Sequence, residues 1–141
     1  MPPATFASAL AVILASVGGG QTPSAAAPTP DRPRRALART WRGATRPEDA
    51  ETYLEYQRGT GLRSYQRTPG NLGVTVLTRN RGSKTEFLMV SLWESEDSIR
   101  RFAGDTIDRA VFYPEDDRYL VERDEHVDHF EVVFQEGGLS R

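Results

Sequence analysis

A hairpin between residues 72 and 93 constrains the fold of this chain more than any other feature. The alternating, β-branched run 72–79 predicts a strand, the Asn-Arg-Gly-Ser sequence at 80–83 predicts a tight turn, and the run 85–93 predicts the partner strand. Both faces of the partner strand are apolar apart from Ser91. A sheet with helices on one face only normally alternates apolar and polar residues. The second apolar face therefore predicts a further covering layer.

The segments around this hairpin predict a small α+β unit. A strand at 37–43 is followed by a helix that starts at Thr45-Arg46-Pro47-Glu48 and ends at the glycines 59 and 61. The predicted elements after it are a loop at 62–70, the hairpin, a helix capped by Ser95 and ended by Gly104, a short helix at 107–113, a polar turn at 114–117 and a strand at 127–134. This order predicts a ferredoxin-like βαββαβ unit, an antiparallel sheet with helices on one face.

The length of the chain leaves no helix to cover the second face of that sheet. It has 141 residues, enough for one domain. A second copy is the economical cover, because a two-fold interface uses the same patch twice. We therefore expect a homodimer in which two sheets form an α/β barrel. The domain is predicted at 36–135, with a C-terminal tail at 136–141.

Residues 1–35 differ from the rest in their content of Ala, Pro, Gly, Ser and Thr. They predict a disordered extension, a signal-like segment or upstream sequence translated from an early start site. The apolar run 6–17 is too short for a membrane-spanning helix, and Ser24-Ala25-Ala26 offers a small-residue cleavage pattern, but no Lys or Arg precedes Phe6. We expect a cytoplasmic protein, or an exported one if residues 1–27 act as a signal peptide.

Charge and composition exclude several functions. Eighteen Lys and Arg against twenty Asp and Glu leave no excess of basic residues for binding nucleic acid. The chain has no cysteine, which excludes a disulfide framework, a thiolate nucleophile and an iron–sulfur site. His126 and His129 lie three residues apart on a predicted strand and so point to opposite faces. His129 and Glu131 share a face, but two ligands make a poor metal site, and no metal is expected.

Several motifs, in their order and spacing, resemble the antibiotic biosynthesis monooxygenase (ABM) domain family over about residues 37–134. They are Ala38-Arg39-Thr40-Trp41-Arg42-Gly43 with Pro47-Glu48-Asp49-Ala50, Thr68-Pro69-Gly70-Asn71-Leu72-Gly73, Ser91-Leu92-Trp93-Glu94-Ser95, and His129-Phe130-Glu131-Val132. The resemblance implies a dimeric α/β barrel of ferredoxin-like units. It also implies one of two activities, since the family includes cofactor-independent monooxygenases of aromatic polyketides and haem-degrading oxygenases, although many members have no assigned reaction.

The first activity predicts a small monooxygenase that oxidises an aromatic or quinol-like metabolite with dioxygen and no cofactor. A deprotonated phenol or anthrone reduces dioxygen itself, so the protein supplies an apolar pocket, a base and donors for the anion. The candidate catalytic residues are Trp93, His129 and Tyr113, and the candidate substrate-binding residues are Arg39, Tyr65 and Asn71. His129 is the natural base by its intrinsic pKa, and Arg39 suits an oxyanion or carboxylate.

Two other functions stay open. Haem degraders of this family use a pocket asparagine, tryptophan and histidine. Trp93 matches the tryptophan by strand position, but the opening strand lacks asparagine and the second helix region lacks histidine. The other alternative is a non-catalytic dimer that binds a small molecule.

Each candidate residue also has a structural interpretation. Trp93 suits core packing, Tyr113 an anchor for its loop, and Asn71 a turn. Arg39 suits an intersubunit ion pair, and His129 a hydrogen bond buried in the dimer interface.

Overall fold

The computed structural model of the protein describes Gly20 and residues 35–139. The predictions for the N-terminal segment lie outside these residues, apart from Gly20 and Arg35, so its nature and the compartment stay predictions. The elements are β1 (Leu37–Thr45), a 3-10 turn (Pro47–Asp49), α1 (Ala50–Gly59), α2 (Gly61–Arg67), β2 (Asn71–Arg81), β3 (Lys84–Trp93), α3 (Glu96–Ala103), α4 (Asp116–Tyr119), β4 (Leu120–Arg123) and β5 (Asp128–Glu131).

The described strands form one antiparallel sheet in the order β2-β3-β1-β4, with β5 also paired to β1. The β1–β3 register runs from Leu37 opposite Trp93 to Thr45 opposite Thr85. On the other edge of β1, β4 pairs with one end of the strand and β5 with the other. The α+β ferredoxin-like fold is confirmed.

Burial along β3 separates the two faces of the sheet. Phe87, Met89 and Trp93 are buried, whereas Leu88 and the alternate residues beyond it are only partly buried. The exposed Leu77 lies opposite Leu88 on this second face. The subunit therefore carries its helices on one face of the sheet, as predicted, and leaves the other, apolar face open. We call the second face, marked by Leu77, Leu88, Val90, Leu92 and Phe130, the open face.

Two aromatic-rich clusters fill the space between helices and sheet. One cluster contains Trp41, Tyr53, Phe87, Met89, Tyr119 and Val127. The other contains Leu62, Tyr65, Trp93 and Ile99. The Ser95 hydroxyl accepts from the Ser98 amide at 3.2 Å, which confirms the predicted cap of α3. The helices are thus fixed against the sheet where Tyr65 and Trp93 meet.

The predicted loop at 62–70 is wrong over most of its length, because Gly61–Arg67 forms α2. Glycines 59 and 61 and the Pro-Gly turn at 69–70 make this stretch look irregular. Leu62 and Tyr65, however, lie three residues apart and pack onto the cluster around Trp93. Tertiary burial stabilises a helix that local propensity does not favour.

The predicted helix at 107–113 is also wrong, because its backbone groups are used elsewhere. The carbonyls of Ile107 and Arg109 accept from the Arg39 guanidinium. The Ala110 amide donates to the Glu125 carbonyl at 2.9 Å, and the Asp108 carbonyl accepts from the Val127 amide at 2.8 Å. Groups engaged in this way cannot close the i to i−4 bonds of a helix.

The end of the chain differs in two ways from the prediction. The predicted polar turn at 114–117 runs into a short helix, α4, and the strand β4 that follows it is not predicted. The last strand is Asp128–Glu131 rather than 127–134. Its last backbone bond runs from Val132 to the Ala36 carbonyl, one residue before β1 begins. Pairing stops there because β1 offers no further partner.

Candidate active site

Arg39, the third residue of β1, is 2% exposed and faces the helices. Its Nη2 donates to the carbonyl of Arg109 at 2.7 Å and that of Ile107 at 3.4 Å. Its guanidinium carbon lies 5.5 Å from the centre of the Phe102 ring. The buried Nε atom has no hydrogen-bond partner among the described residues. Arg39 thus holds the 104–115 segment and keeps one donor free.

His129 on β5 is the register partner of Arg39. Side chains at paired antiparallel positions lie on the same face of the sheet, roughly 5 Å apart at Cβ. The buried Nε2 of His129 has no hydrogen-bond partner among the described residues. Burial and, next, the positive charge of Arg39 lower the pKa of His129. The imidazole is therefore held in its neutral form, which is able to accept a proton.

Next to Arg39 lies a small cavity of about 20 Å³ between helices and sheet. It is lined by Arg39, Trp41, Tyr53, Gln57, Gly61, Tyr65, Met89, Phe102, Val111, Tyr113 and Asp116. Aromatic rings dominate this lining, and Arg39 supplies the positive charge. The volume has room for about one water molecule. A larger ligand requires the wall to move.

Tyr65 and Trp93 form the aromatic stack behind this cavity. The Tyr65 ring lies 4.4 Å from Phe102 and 6.0 Å from Trp93, centre to centre. Trp93 is fully buried, and its Nε1 donates to the Ser91 hydroxyl at 2.8 Å. Trp93 supports Tyr65 and Phe102, which line the cavity directly. Burial raises the pKa of Tyr65, and the Arg39 charge opposes this rise.

Tyr113 reaches the same cavity from the 104–115 segment, and burial raises the pKa of its phenol. Gln57 and Asp116 also line the cavity, are 4% and 3% exposed, and bond to each other. The sequence reasoning missed both residues. Acidic residues at a helix start normally face solvent, so the acidic run does not single out Asp116. Gln57 lies on the buried face of α1 with Tyr53, and an inward glutamine on an apolar face is itself a signal.

Asn71 is not brought to this cavity. Its side-chain nitrogen donates to the carbonyl of Leu92 at 3.3 Å, beside an irregularity in the β2–β3 pairing. The preceding Gly70 has φ 88°, and its carbonyl accepts from the Glu94 amide at 2.9 Å. Asn71 thus helps to join the start of β2 to the end of β3. A role of Asn71 in binding substrate stays a prediction.

A larger cavity of about 400 Å³ lies at one end of the sheet, lined in part by Arg42, Leu77 and Leu88 of the open face. Several of its charged groups already form ion pairs, since Arg79 pairs with Glu86, and Arg123 pairs with Asp117 and Glu125. Arg39 and His129 do not line it. We therefore place the candidate site at the smaller cavity, which Arg39 and five aromatic rings line. His129 is the register partner of Arg39 but is not among the residues that line this cavity.

Two searches of the described residues gave negative results. No three His, Cys, Asp or Glu side chains within Gly20 and residues 35–139 come together as a metal site would require. No helix in this described part has both the length and the apolar character needed to cross a membrane.

Comparison with known proteins supports the fold and the family. The family model for antibiotic biosynthesis monooxygenase (ABM) matches residues 41–106, which confirms the resemblance found in the sequence motifs. No curated protein sequence matches significantly.

Solved structures share the fold at low sequence identity. A candidate antibiotic biosynthesis monooxygenase from Bacillus cereus has a TM-score of 0.53 and 15% identity, covering 74% of this chain and 99% of the other. One from Nitrosomonas europaea has a TM-score of 0.51 and 14% identity, covering 73% and 95%. A protein of unknown function from the same organism, NE2512, has a TM-score of 0.53 and 15% identity, covering 77% and 99%. At these identities the likeness establishes the fold alone.

Proposed function

We propose that this protein, whose residues 41–106 match the ABM family model, is a monooxygenase that acts without a cofactor. Its substrate is an aromatic metabolite of phenolic, anthrone or quinol type, and its oxidant is dioxygen. One observation carries the proposal. Arg39 Nε and His129 Nε2 are buried and unpartnered among the described residues, and they belong to register partners of which Arg39 lines the aromatic cavity.

These two nitrogens suit a single acidic oxygen of the substrate. Neutral His129 accepts the proton of the phenol or enol at Nε2, and Arg39 stabilises the oxyanion that remains. The anion then passes an electron to dioxygen, and the resulting pair combines to a peroxide. Loss of water from the peroxide, with the proton on His129 returned, gives the quinone. One oxygen atom ends in the product carbonyl and the other in water, so the substrate supplies all the electrons.

The aromatic lining supplies the remaining parts of the proposed site. Tyr65 and Phe102 form one wall for a planar ring, with Trp93 packed behind them. Tyr113 offers a phenol hydroxyl from the opposite segment. Its raised pKa keeps it protonated, so it acts as a hydrogen-bond donor to a carbonyl or peroxide oxygen.

Substrate entry requires the 104–115 segment to open. The segment has no helix or paired strand apart from the isolated bridge between Arg109 and His126. Val111 and Tyr113 are its contribution to the cavity wall. Closure over a bound substrate re-forms the Arg39 bonds to Ile107 and Arg109 and excludes water from the anion.

The described residues do not fit a haem group. Helix α3 carries no histidine and β1 no asparagine. His126 is exposed, and His129 lies beside the Arg39 cation, which opposes the positive charge of a ferric iron. The proposed reaction therefore uses no haem.

A second copy of the chain is proposed as the cover of the open face. Leu77 is 49% exposed and Phe130 is 56% exposed, and both lie on the same face as the partly buried Leu88, Val90 and Leu92. Large apolar side chains grouped on one sheet face mark an interaction surface. The helices within residues 35–139 pack on the other face, so a two-fold dimer is the simplest arrangement.

An aerobic assay tests the proposed reaction against its alternatives. Metal-free protein is mixed with anthrone, and oxygen uptake and quinone formation are followed. We expect His129→Gln to lower the rate by about a hundredfold or more, since general base catalysis contributes that much. His126→Gln is the matched control, because His126 is exposed and should keep the wild-type rate. If the wild type and both variants form quinone no faster than buffer without protein, a non-catalytic binding protein is favoured instead. A saturable Soret shift with haemin would favour the haem alternative.

A further inference from the structure

Asp116 is a buried carboxylate that joins the two sides of the cavity. It is 3% exposed, although it lies in an acidic run at the start of α4. Its Oδ2 accepts from the Tyr113 amide at 2.7 Å, and its Oδ1 accepts from Gln57 Nε2 at 3.1 Å. The Asp116 amide donates in turn to the Tyr113 carbonyl at 3.0 Å. The carboxylate therefore fixes the backbone of Tyr113 to helix α1.

The Tyr113 ring is held from its other side by a glycine. A Cβ atom on Gly61 would lie 3.3 Å from Tyr113 Cε2 and 2.4 Å from Gln57 Oε1. Only a residue without a side chain leaves this space to the ring and to the amide. The backbone bonds from Asp116 and the contact with Gly61 together restrict where the phenol hydroxyl can lie.

A helix start alone does not explain this arrangement. The neighbouring Asp117 also lies in the first turn of α4, stays on the surface and pairs with Arg123. Burying Asp116 disfavours its charged form, and burial raises its pKa. The cost of that burial is offset by bonds to Tyr113 and Gln57, the two neighbours that line the cavity.

We infer that Asp116 is a positioning residue that sets the place of the Tyr113 hydroxyl in the substrate site, with Gln57 orienting its carboxylate. The inference rests on the proposed function, which assigns Tyr113 to that site. Asp116 touches no substrate atom in this account. It acts through the backbone of Tyr113.

A double-mutant cycle tests this role with anthrone as the probe. We expect Asp116→Ala to lower kcat/KM by about tenfold, because a displacement of the order of 1 Å in a substrate-orienting group has effects of this size or larger. In a Tyr113→Ala background, Asp116→Ala should cause little further loss, since the group it positions is gone. Asp116→Asn keeps an acceptor for the Tyr113 amide and should recover most of the activity. Asp117→Ala is the matched control and should match wild type.

Two results would overturn the inference. One is an equal loss from Asp116→Ala with and without Tyr113, which indicates a role in folding only. The other is wild-type activity in Asp116→Ala.

Amide hydrogen exchange of the full chain separates this inference from the proposed function if wild-type protein does not oxidise anthrone. Asp116→Ala should then expose the Tyr113 amide while β4 and α1 keep their protection. This measurement needs no substrate. Two results would contradict the positioning role: unchanged protection of the Tyr113 amide, or a loss of protection that spreads over β4 and α1.

Discussion

Arg39 on β1 and His129 on β5 are register partners in an antiparallel pair, and each holds a buried nitrogen without a hydrogen-bond partner among the described residues. Leaving a buried polar atom unpaired costs about 1–3 kcal/mol. We therefore propose that these two atoms, on paired positions of one sheet face, serve the reaction rather than the stability of the fold. They face the helices, where the aromatic cavity lies.

The electrostatic coupling between these residues predicts opposite shifts in two variants. The pKa of His129 is lowered first by burial and then by Arg39, whereas Asp108 raises it. We expect Arg39→Gln to raise the pKa of His129 toward 6.5 and Asp108→Asn to lower it further. The measurement is an NMR titration of the imidazole in each protein. Identical titration curves in the three proteins would refute the coupling.

The same lowered pKa predicts a pH dependence of stability. The unfolded chain binds a proton at His129 below about pH 6.5, whereas the folded chain resists it. The contribution of His129 is therefore fully present above pH 6.5 and is lost as the pH falls through the folded-state pKa. Urea unfolding between pH 7.5 and 5 should show a shallower loss of stability in His129→Gln than in wild type. A steeper loss in the variant would reverse the sign and contradict the assignment.

Arg39→Lys should destabilise the fold although the charge is kept. Both bonds to carbonyls of the 104–115 segment come from Nη2, at the far end of the planar guanidinium, and a lysine side chain does not place its ammonium at that point. We expect a loss of about 1.5–3 kcal/mol in the free energy of unfolding, the range for hydrogen bonds to charged groups. Arg42→Lys, an exposed position on the same strand, is the control and should change little. Equal effects of the two substitutions in urea unfolding would show that the carbonyl bonds contribute nothing.

We expect a single methyl group added at Gly70 to lower the free energy of unfolding strongly. Gly70 has φ 88°, and a Cβ there would lie 2.0 Å from the Oγ of the buried Ser98. Gly70→Ala should therefore destabilise the protein more than Gly82→Ala, which has φ 59° and open space around it. The second variant should lose only the conformational cost of about 1–2 kcal/mol. Thermal unfolding of both variants checks the order, and a reversed order would contradict the packing of the β2 start against α3.

The apolar open face predicts that the wild type is a dimer in solution and that a charge placed on this face makes it a monomer. Light scattering at micromolar concentration should give twice the mass of one chain for the wild type. Leu88→Arg places a charge at the centre of the open face and should give monomers, whereas Glu51→Arg on the exposed side of α1 should stay dimeric. A monomeric wild type would contradict the proposed dimer.

Sequence periodicity was enough to predict the elements that bury one regular face. The alternation in β2 and β3 and the Ser95 cap reappear in the structure, whereas the turn predicted at 80–83 narrows to Gly82 and Ser83 because β2 extends to Arg81. The failures lie where tertiary contacts override local preference. Ile107 to Tyr113 has helical spacing, but its carbonyls bind Arg39, and α2 forms because Leu62 and Tyr65 pack onto Trp93.

The site shows the same division. Arg39, Tyr65 and Tyr113 were chosen as residue types suited to anions and aromatic rings, and the structure gathers them at one cavity. The pairing of Arg39 with His129 depends on the β1–β5 register, which the sequence does not state. Asp116 and Gln57 escaped notice because an acidic run normally faces solvent, and only the fold shows that its second residue turns inward.

The most direct test of the account is the fate of dioxygen in the reaction. Anthrone is oxidised by metal-free protein under isotopically labelled dioxygen, and the quinone is analysed by mass spectrometry. We expect each quinone molecule to contain one labelled oxygen atom. The rate of quinone formation should depend on His129 and not on His126. Unlabelled quinone, or labelled quinone formed equally fast by His129→Gln, would contradict it.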